Sequence, residues 1–481
     1  MNVAMKLDQT ECYQALLTRD PRFDGAFFVG VATTGIYCRP VCPARTPKAE
    51  NCAYFRSAAS AEQSGFRPCL RCRPELAPGG ATIDAVARLA SAVADRLADG
   101  SLGGRSVEDV ASELGVSARH LRRVVKSEFG VSPIQLAQTQ RLHLAKRLLT
   151  DTNLPVIEVA YESGFASLRR FNALFRSRYR LSPTDLRKGK GRRAAPQPTL
   201  VCHLAYRPPL NWPALLAFLA PRALPGVEWV DGDCYRRGVA IGPHRGWIAV
   251  TQASHKPALR VELSSSLTHV LMPVLSRVKR LFDLGAEPRQ IDARLGALAA
   301  DAPGLRVPGA FDSFELAVRA ILGQQVSVQA ARTLAGRFVA AFGEPLVSPF
   351  PVIERVWPSA DVVARASVDE IAALGMPGSR ARAILTLAEA VHCGALRLEP
   401  GVDVEATIAQ LTALPGIGEW TAQYIAMRTL GWPDAFPHGD LGVRKALGGV
   451  SPGEALRRAE EWRPWRAYAV MHLWRKLEGT T

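Results

Sequence analysis

The sequence predicts a multidomain chain, mainly α with α+β parts, and three observations lead to that class. Two close cysteine pairs lie within residues 1–80, two similar helical units follow, and beyond residue 200 a strand-like stretch gives way to helical periodicity. A chain of 481 residues with 48% hydrophobic composition can bury several cores. The net charge of +16 is concentrated at the front, where residues 1–198 hold 30 Lys/Arg against 18 Asp/Glu. That balance suits a polyanionic partner. No apolar run approaches the roughly 18 residues of a membrane span, and no Gly-rich nucleotide loop or low-complexity segment occurs.

The first element is the cysteine set: Cys38 and Cys42, then Cys69 and Cys72 after a gap of 26 residues. Four thiolates at this spacing suit one tetrahedral Zn²⁺, with a disulfide pair as the alternative. Met1 to Gln9 contains no apolar secretory core, so a cytoplasmic location is expected, where disulfides are rare. Cys12, Cys52, Cys202, Cys234 and Cys393 are scattered and read as small buried apolar residues. Thr33-Thr34-Gly35-Ile36-Tyr37-Cys38-Arg39-Pro40 and Phe66-Arg67-Pro68-Cys69-Leu70-Arg71-Cys72-Arg73-Pro74-Glu75 closely resemble the N-terminal domain of the Ada family, over residues 1–80. The resemblance implies that Cys38 is both a zinc ligand and a methyl acceptor, taking a methyl group irreversibly from a DNA phosphotriester. The zinc would then be structural and thiolate-activating. Arg39, Arg45, Arg67, Arg71 and Arg73 would hold the DNA backbone, although a surface arginine is usually just solvated.

Ser106 to Pro133 and Pro155 to Pro183 each read as a short helix, a glycine turn and a second helix. Two copies are too few for a solenoid, and a paired helix-turn-helix fits better. The segment 82–187 resembles the AraC-type DNA-binding domain, which implies two recognition helices in neighbouring major grooves. Arg119, His120, Arg122, Ala166, Ser167, Arg169 and Arg170 are the candidate base readers. A basic linker is expected over 188–198, because Arg187-Lys188-Gly189-Lys190-Gly191-Arg192-Arg193 and the Ala/Pro stretch after it lack apolar anchors.

Leu200 to about Arg260 alternates in strand fashion, most clearly at Gly226–Gly232 and Trp247–Val250. From Leu267 the period becomes helical, with Val270, Leu271, Val274, Leu275, Val278 and Leu281 on one face.

The final element is Leu414-Pro415-Gly416-Ile417-Gly418, followed by a lone acid at Asp440. Gly416 and Gly418 let the backbone approach a ligand and leave amides free at the next helix start, a phosphate-binding arrangement. An ordinary tight turn, and a plain N-cap role for Asp440, are the alternatives. With Arg319-Ala320-Ile321-Leu322-Gly323-Gln324-Gln325-Val326-Ser327 and Trp462-Arg463-Pro464-Trp465-Arg466-Ala467-Tyr468, the stretch from Leu200 to Glu478 resembles the AlkA-type branch of the helix-hairpin-helix glycosylases. That implies a β-rich AlkA N-terminal domain over 199–305 and an all-α glycosylase domain over 306–481. Asp440 would be the catalytic carboxylate, and Trp420, Tyr424 and Trp474 the base pocket. Trp420 stands where strand-nicking relatives carry a Schiff-base lysine, so a monofunctional enzyme is expected. Gln325 stands where the family inserts a leucine wedge, and Gly439 replaces a neighbouring acid.

Together these resemblances imply a damage sensor and regulator fused to an alkylbase DNA glycosylase, with the activity of a DNA-3-methyladenine glycosylase II and a methyl-accepting cysteine. Its expected partners are double-stranded DNA with alkylation damage and specific promoter DNA, with RNA polymerase as a further partner open to a regulator, and no membrane. Only Cys393 lies near the C-terminus, so no iron–sulfur cluster is expected, nor any organic cofactor. Two alternatives stand: a transcription regulator whose glycosylase half is only a DNA-binding module, and a glycosylase whose front half only tethers it. The Pro-Cys-His-Arg motif of O6-methylguanine acceptors is absent.

Overall fold

The computed structural model describes residues 8–78, 89–90, 92–94, 96, 106–152, 154–188 and 199–478. The boundary expected between 80 and 82 and residues 189–198 of the expected linker lie outside them. The chain divides into two compact units, Met1–Pro208 with His255–Leu259, and Pro209–Ser254 with Arg260–Thr481.

In the first unit a four-stranded sheet takes the order Cys52–Phe55, Phe28–Val31, Ile36–Cys38, Arg67–Pro68. The first two pairings are antiparallel and the last is parallel, with Ile36 opposite Arg67 and Tyr37 opposite Pro68. Two reader units of equal element lengths follow: helices Val107–Glu113 and Ala118–Phe129, then Val156–Glu162 and Leu168–Tyr179. Each second helix starts on a serine cap, Ser117 or Ser167, whose oxygen satisfies an otherwise orphaned N–H. Helix Pro133–Asp151 joins the units, entered through a Ser132/Gln135 capping box. The first unit packs on aliphatic residues such as Leu121, Val124 and Val125. The second stacks rings, Phe165 on Phe171, Phe171 on Phe175 and Phe175 on Tyr179.

In the second unit Glu228–Asp231, Cys234–Ile241 and His244–Gln252 pair antiparallel in sequence order. The strand reading of this region needs one correction, because helix Trp212–Leu219 interrupts it. Trp-Pro-Ala-Leu-Leu-Ala-Phe-Leu is apolar on nearly every side, which erases the periodicity that separates helix from buried strand. Leu271–Leu281 is helical and buries Leu271, Val274, Leu275, Val278 and Leu281 as its spacing requires.

Helix Ser313–Leu322 is sunk into the main helical core. Phe314, Ala317, Val318 and Ile321 pack there with Phe338, Ile384, Leu387, Leu411, Ala422 and Ile425. The last three come from helices Val404–Ala413 and Glu419–Arg428, which flank the glycine turn. The mixed, mainly helical class read from the sequence is the class observed. Among the described residues no helix is long and apolar enough to cross a membrane.

Candidate functional site

Two sets of reactive side chains are assembled, one in each unit. The first follows from strand pairing. The parallel register brings Ile36–Cys38 alongside Arg67–Pro68, and the Cys69 N–H donates to the Tyr37 carbonyl at 3.0 Å. A tight turn, Cys42 N–H to Arg39 carbonyl at 3.1 Å, folds Cys42 back toward the pair. All four sulfurs, of Cys38, Cys42, Cys69 and Cys72, lie within 4.8 Å of one another. Thiols satisfy each other poorly at such range, as the 4.0 Å contact between Cys42 Sγ and Cys69 Sγ illustrates, whereas four sulfurs around one centre suit a soft tetrahedral cation. Cys42, Cys69 and Cys72 are buried, while Cys38 is partly open.

The arginines around this cluster divide. Arg39 was expected to hold DNA, but it is only 9% exposed and points inward. Its Nε donates to Asp24 Oδ1 at 2.8 Å and its Nη1 to the Cys72 carbonyl at 3.1 Å. A buried guanidinium needs such partners, so Arg39 ties the cluster together instead. Arg73 likewise pairs with Glu75 and Asp151. Arg45 and Arg71 are exposed and Arg67 is half-buried. Sequence reading missed Lys146, 1% exposed, which reaches Glu75 at 2.7 Å and the Cys69 carbonyl at 3.3 Å. Its neighbours on helix Pro133–Asp151, Thr139 and His143, meet the buried Glu62–Tyr37 pair.

Of the reader residues, Arg119, Arg122, Ala166, Ser167, Arg169 and Arg170 are exposed and His120 is half-buried. Ser167 serves as a cap, Arg122 pairs with Glu108, and His120 Nδ1 meets Arg123 at 2.9 Å.

The second set surrounds a cavity of about 440 Å³ lined by Trp420, Tyr424, Asp440, Trp474, Phe218 and Arg428 among others. The glycine turn and Asp440 each stand at a helix start. Gly418 caps Glu419–Arg428, and Asp440 caps Leu441–Ala446 by accepting the Val443 N–H at 2.8 Å. The N-cap reading of Asp440 therefore holds, and it leaves room for a second role. Trp474 Nε1 donates to Oδ1 and Trp420 Nε1 to Oδ2, both at 2.9 Å, so three donors fix the carboxylate's plane. Trp420 stacks on Tyr424, and Trp474 on Phe218. Gly416 has φ +84°, and a Cβ there would come within 2.9 Å of Ala383 Cβ. A Cβ on Gly418 would meet nothing within 4 Å, so that side of the turn is open to a ligand.

The pocket also holds groups that sequence reading did not find. The Arg222 guanidinium lies 3.9 Å from the Phe218 ring centre, and Arg428 lies over both Phe218 and Tyr424. Arg428 donates to the Tyr424 hydroxyl at 2.6 Å. Behind it, burial pushes the Glu228 carboxyl up, but Arg319 and Arg237 outweigh this and hold it at about 2. No local pattern announces these residues: Arg222 meets Phe218 and Arg428 meets Tyr424 four positions away, and only tertiary packing brings the two segments to one pocket. Gln325 is exposed on the loop after Ser313–Leu322.

The comparisons with known proteins match this division. Family models match residues 11–75 as the metal binding domain of Ada, 110–189 as a helix-turn-helix domain, 201–312 as the AlkA N-terminal domain, and 318–461 as an HhH-GPD superfamily base excision DNA repair protein. A probable bifunctional transcriptional activator/DNA repair enzyme AlkA of Mycobacterium tuberculosis is 39% identical across 98% of this chain and 97% of its own. DNA-3-methyladenine glycosylase 2 of Escherichia coli is 40% identical over 56% of this chain and 95% of its own. Among solved structures, a 3-methyladenine DNA-glycosylase from Archaeoglobus fulgidus shares the fold with a TM-score of 0.50 at 21% identity. That likeness covers 57% of this chain and 97% of the other. The Ada-type metal domain and the four gathered cysteines together point to a zinc ion.

Proposed function

Because the chain belongs to the family of bifunctional transcriptional activator/DNA repair enzymes of the AlkA and Ada type, we propose that it repairs alkylated DNA in two ways and couples one of them to gene regulation. Its C-terminal region is a monofunctional DNA glycosylase for bases of the 3-methyladenine and 7-methylguanine kind. Its N-terminal region accepts a methyl group from DNA methylphosphotriesters on Cys38, and the helix-turn-helix region binds promoter DNA in response. DNA is thus substrate and partner, which suits a cytoplasmic location.

The observation that carries the glycosylase reading is the Asp440 carboxylate, oriented at an aromatic pocket by two indole N–H groups and a backbone amide. A base must leave the stack to reach such a pocket. An alkylated purine is cationic and a good leaving group, so little acid catalysis is needed. The N-glycosidic bond breaks with its electron pair going to the base, which becomes neutral. Asp440 stabilises the positive charge that develops on the sugar. Water adds at that carbon, its proton passes to Asp440 and then to solvent, and an abasic site remains. With Trp420 in place of a lysine, no amine attacks the sugar and the strand stays intact.

Cys38, Cys42, Cys69 and Cys72 would hold Zn²⁺, which when bound keeps their sulfurs as thiolates at neutral pH. The partial exposure of Cys38 beside three buried partners supports it as the acceptor. Its sulfur attacks the methyl carbon, the C–O bond of the triester breaks, and a phosphodiester leaves with the electron pair. The test is incubation of the full chain with methylated DNA, followed by intact-mass measurement and assay of free base. One methyl on Cys38 and release of base from uncut strands are expected. Methyl on another cysteine, no released base, or nicking without an added nuclease would each overturn the corresponding part.

A further inference from the structure

Three side chains of helix Glu419–Arg428 line the cavity at four-residue intervals, Trp420, Tyr424 and Arg428. Four residues make about one helical turn, so the three stand in a row roughly 12 Å long. Asp440 accepts from the Trp420 indole at one end of the row, and the Arg428 guanidinium closes the other. Arg428 is 5% exposed, and all three of its nitrogens donate. Nε meets the Pro308 carbonyl, Nη2 the Gly309 carbonyl at 3.5 Å, and Nη1 the Tyr424 Oη at 2.6 Å. A guanidinium offers no lone pair, which fixes the sense of the last bond: Tyr424 Oη is the acceptor. The single proton of the phenol must therefore point elsewhere. Among the described residues this hydroxyl has no other hydrogen-bond partner, and what lies open to it is the cavity that both residues line.

Resting on the glycosylase reading above, we propose that Tyr424 is a catalytic residue that donates a hydrogen bond to the departing base, and that Arg428 is the positioning residue that aims and strengthens it. Accepting from a cation polarises the phenol and makes its own proton a better donor. As the N-glycosidic bond breaks, its electron pair moves onto the base, whose ring nitrogens and carbonyl oxygen become better acceptors. A donor at that end of the row gains strength in the transition state, which is the condition for accelerating the step. The proton stays on Tyr424 throughout, and the alkylated base leaves neutral. Positive charge thus moves away from Arg428 and toward Asp440, along a field that the two residues set up between them.

The test is single-turnover release of 7-methylguanine from duplex DNA by the full chain. Tyr424→Phe keeps the ring and removes the donor, and should slow release about fivefold or more, the worth of one hydrogen bond. 3-Fluorotyrosine at position 424 separates donation from stacking. Fluorine makes the hydroxyl a stronger donor and the ring face poorer in electrons, so release should rise above wild type, whereas a residue that only stacks would give a fall. Arg428→Lys should slow release about threefold or more in the wild-type background and have no further effect in the Tyr424→Phe background. A melting curve checks that each variant is folded, and Arg428→Gln replaces the lysine variant if that one is not. A Tyr424→Phe rate within about twofold of wild type, or no rise with 3-fluorotyrosine, overturns the catalytic role. Equal slowing by the Arg428 variant in both backgrounds overturns the positioning role. If wild type itself releases no base, the glycosylase reading falls and takes this proposal with it. If wild type releases base and Tyr424→Phe matches it, only this proposal falls.

Discussion

The cysteine cluster and the Asp440 pocket solve the same problem, presenting one reactive group in a fixed orientation, by opposite means. Within the cluster, the residues that hold Cys38 are chemically the same as Cys38, gathered from 35 positions of chain by one parallel strand pair. Four sulfurs offer one another little, so the cluster relies on a cation, with Arg39 bracing it through the Cys72 carbonyl. In the pocket, Asp440 is held by groups unlike itself, two indoles and an amide, and the Trp420 indole comes from a helix that already packs through Ala422 and Ile425. Chemistry and folding are one property in the first site and separable properties in the second.

That contrast can be broken most directly at Cys69. Cys69→Ala should release the zinc and unfold the surrounding sheet, because a structural zinc contributes on the order of 10 kcal/mol to such a fold. Metal analysis and hydrogen exchange over residues 8–78 would check this, and a zinc-free cluster with unchanged protection would contradict it. The pocket should behave otherwise. Asp440→Asn preserves a good N-cap, so the protein should fold and bind DNA while base release falls about 10²- to 10³-fold. Single-turnover release alongside a melting curve separates the two effects, and near-normal release would remove Asp440 from the chemistry.

A third measurement sharpens the comparison on the side of the cluster. Zn²⁺ with four thiolates carries a formal charge of −2, and methylation of Cys38 leaves −1. At ~4 Å in a water-like medium each unit interaction with a phosphate is about 1 kcal/mol. Two or three phosphates should thus tighten operator binding tens- to about a hundredfold, with strong salt dependence. Equal affinities of methylated and unmethylated protein at low salt would sink this switch.

The smallest effect concerns acid stability of the second unit. Burial pushes His472 down to about 4, with Arg475 and Lys476 adding to the shift. The unfolded chain binds this proton first, so stability from the neutral ring is present above about pH 6.5 and is lost as pH falls toward 4. Relative to wild type, His472→Leu should flatten that loss by about 1–3 kcal/mol between pH 7 and 4.5, read as the change in urea midpoint.

What could be read in advance follows the same division. Cys38, Cys42, Cys69 and Cys72 were legible because metal ligands keep close spacing, and Gly416, Gly418 and Asp440 because a turn and a cap are local events. Arg39 was misread, since its partner Asp24 lies fifteen residues upstream and nothing in Cys-Arg-Pro says which way the side chain turns. Phe218, Arg222 and Arg428 stayed hidden for the same reason. They enter the pocket through tertiary packing, and the helix bearing Phe218 has no periodic signature. The paired helix-turn-helix was visible because it is duplicated.

Helix Pro133–Asp151 bears on what such a duplicated reader can accept. Leu136 and Ala137 belong to the core of the first unit, and the Leu142 carbonyl receives the Tyr179 hydroxyl of the second. One continuous rod, about 28 Å long at 1.5 Å per residue, thus fixes the separation and phase of both recognition helices. It acts as a ruler. A promoter read by this chain would hold its two half-elements at a single spacing, and one inserted base pair, turning the second element by roughly a tenth of a helical turn, would disengage one reader while leaving the sequence of each half intact.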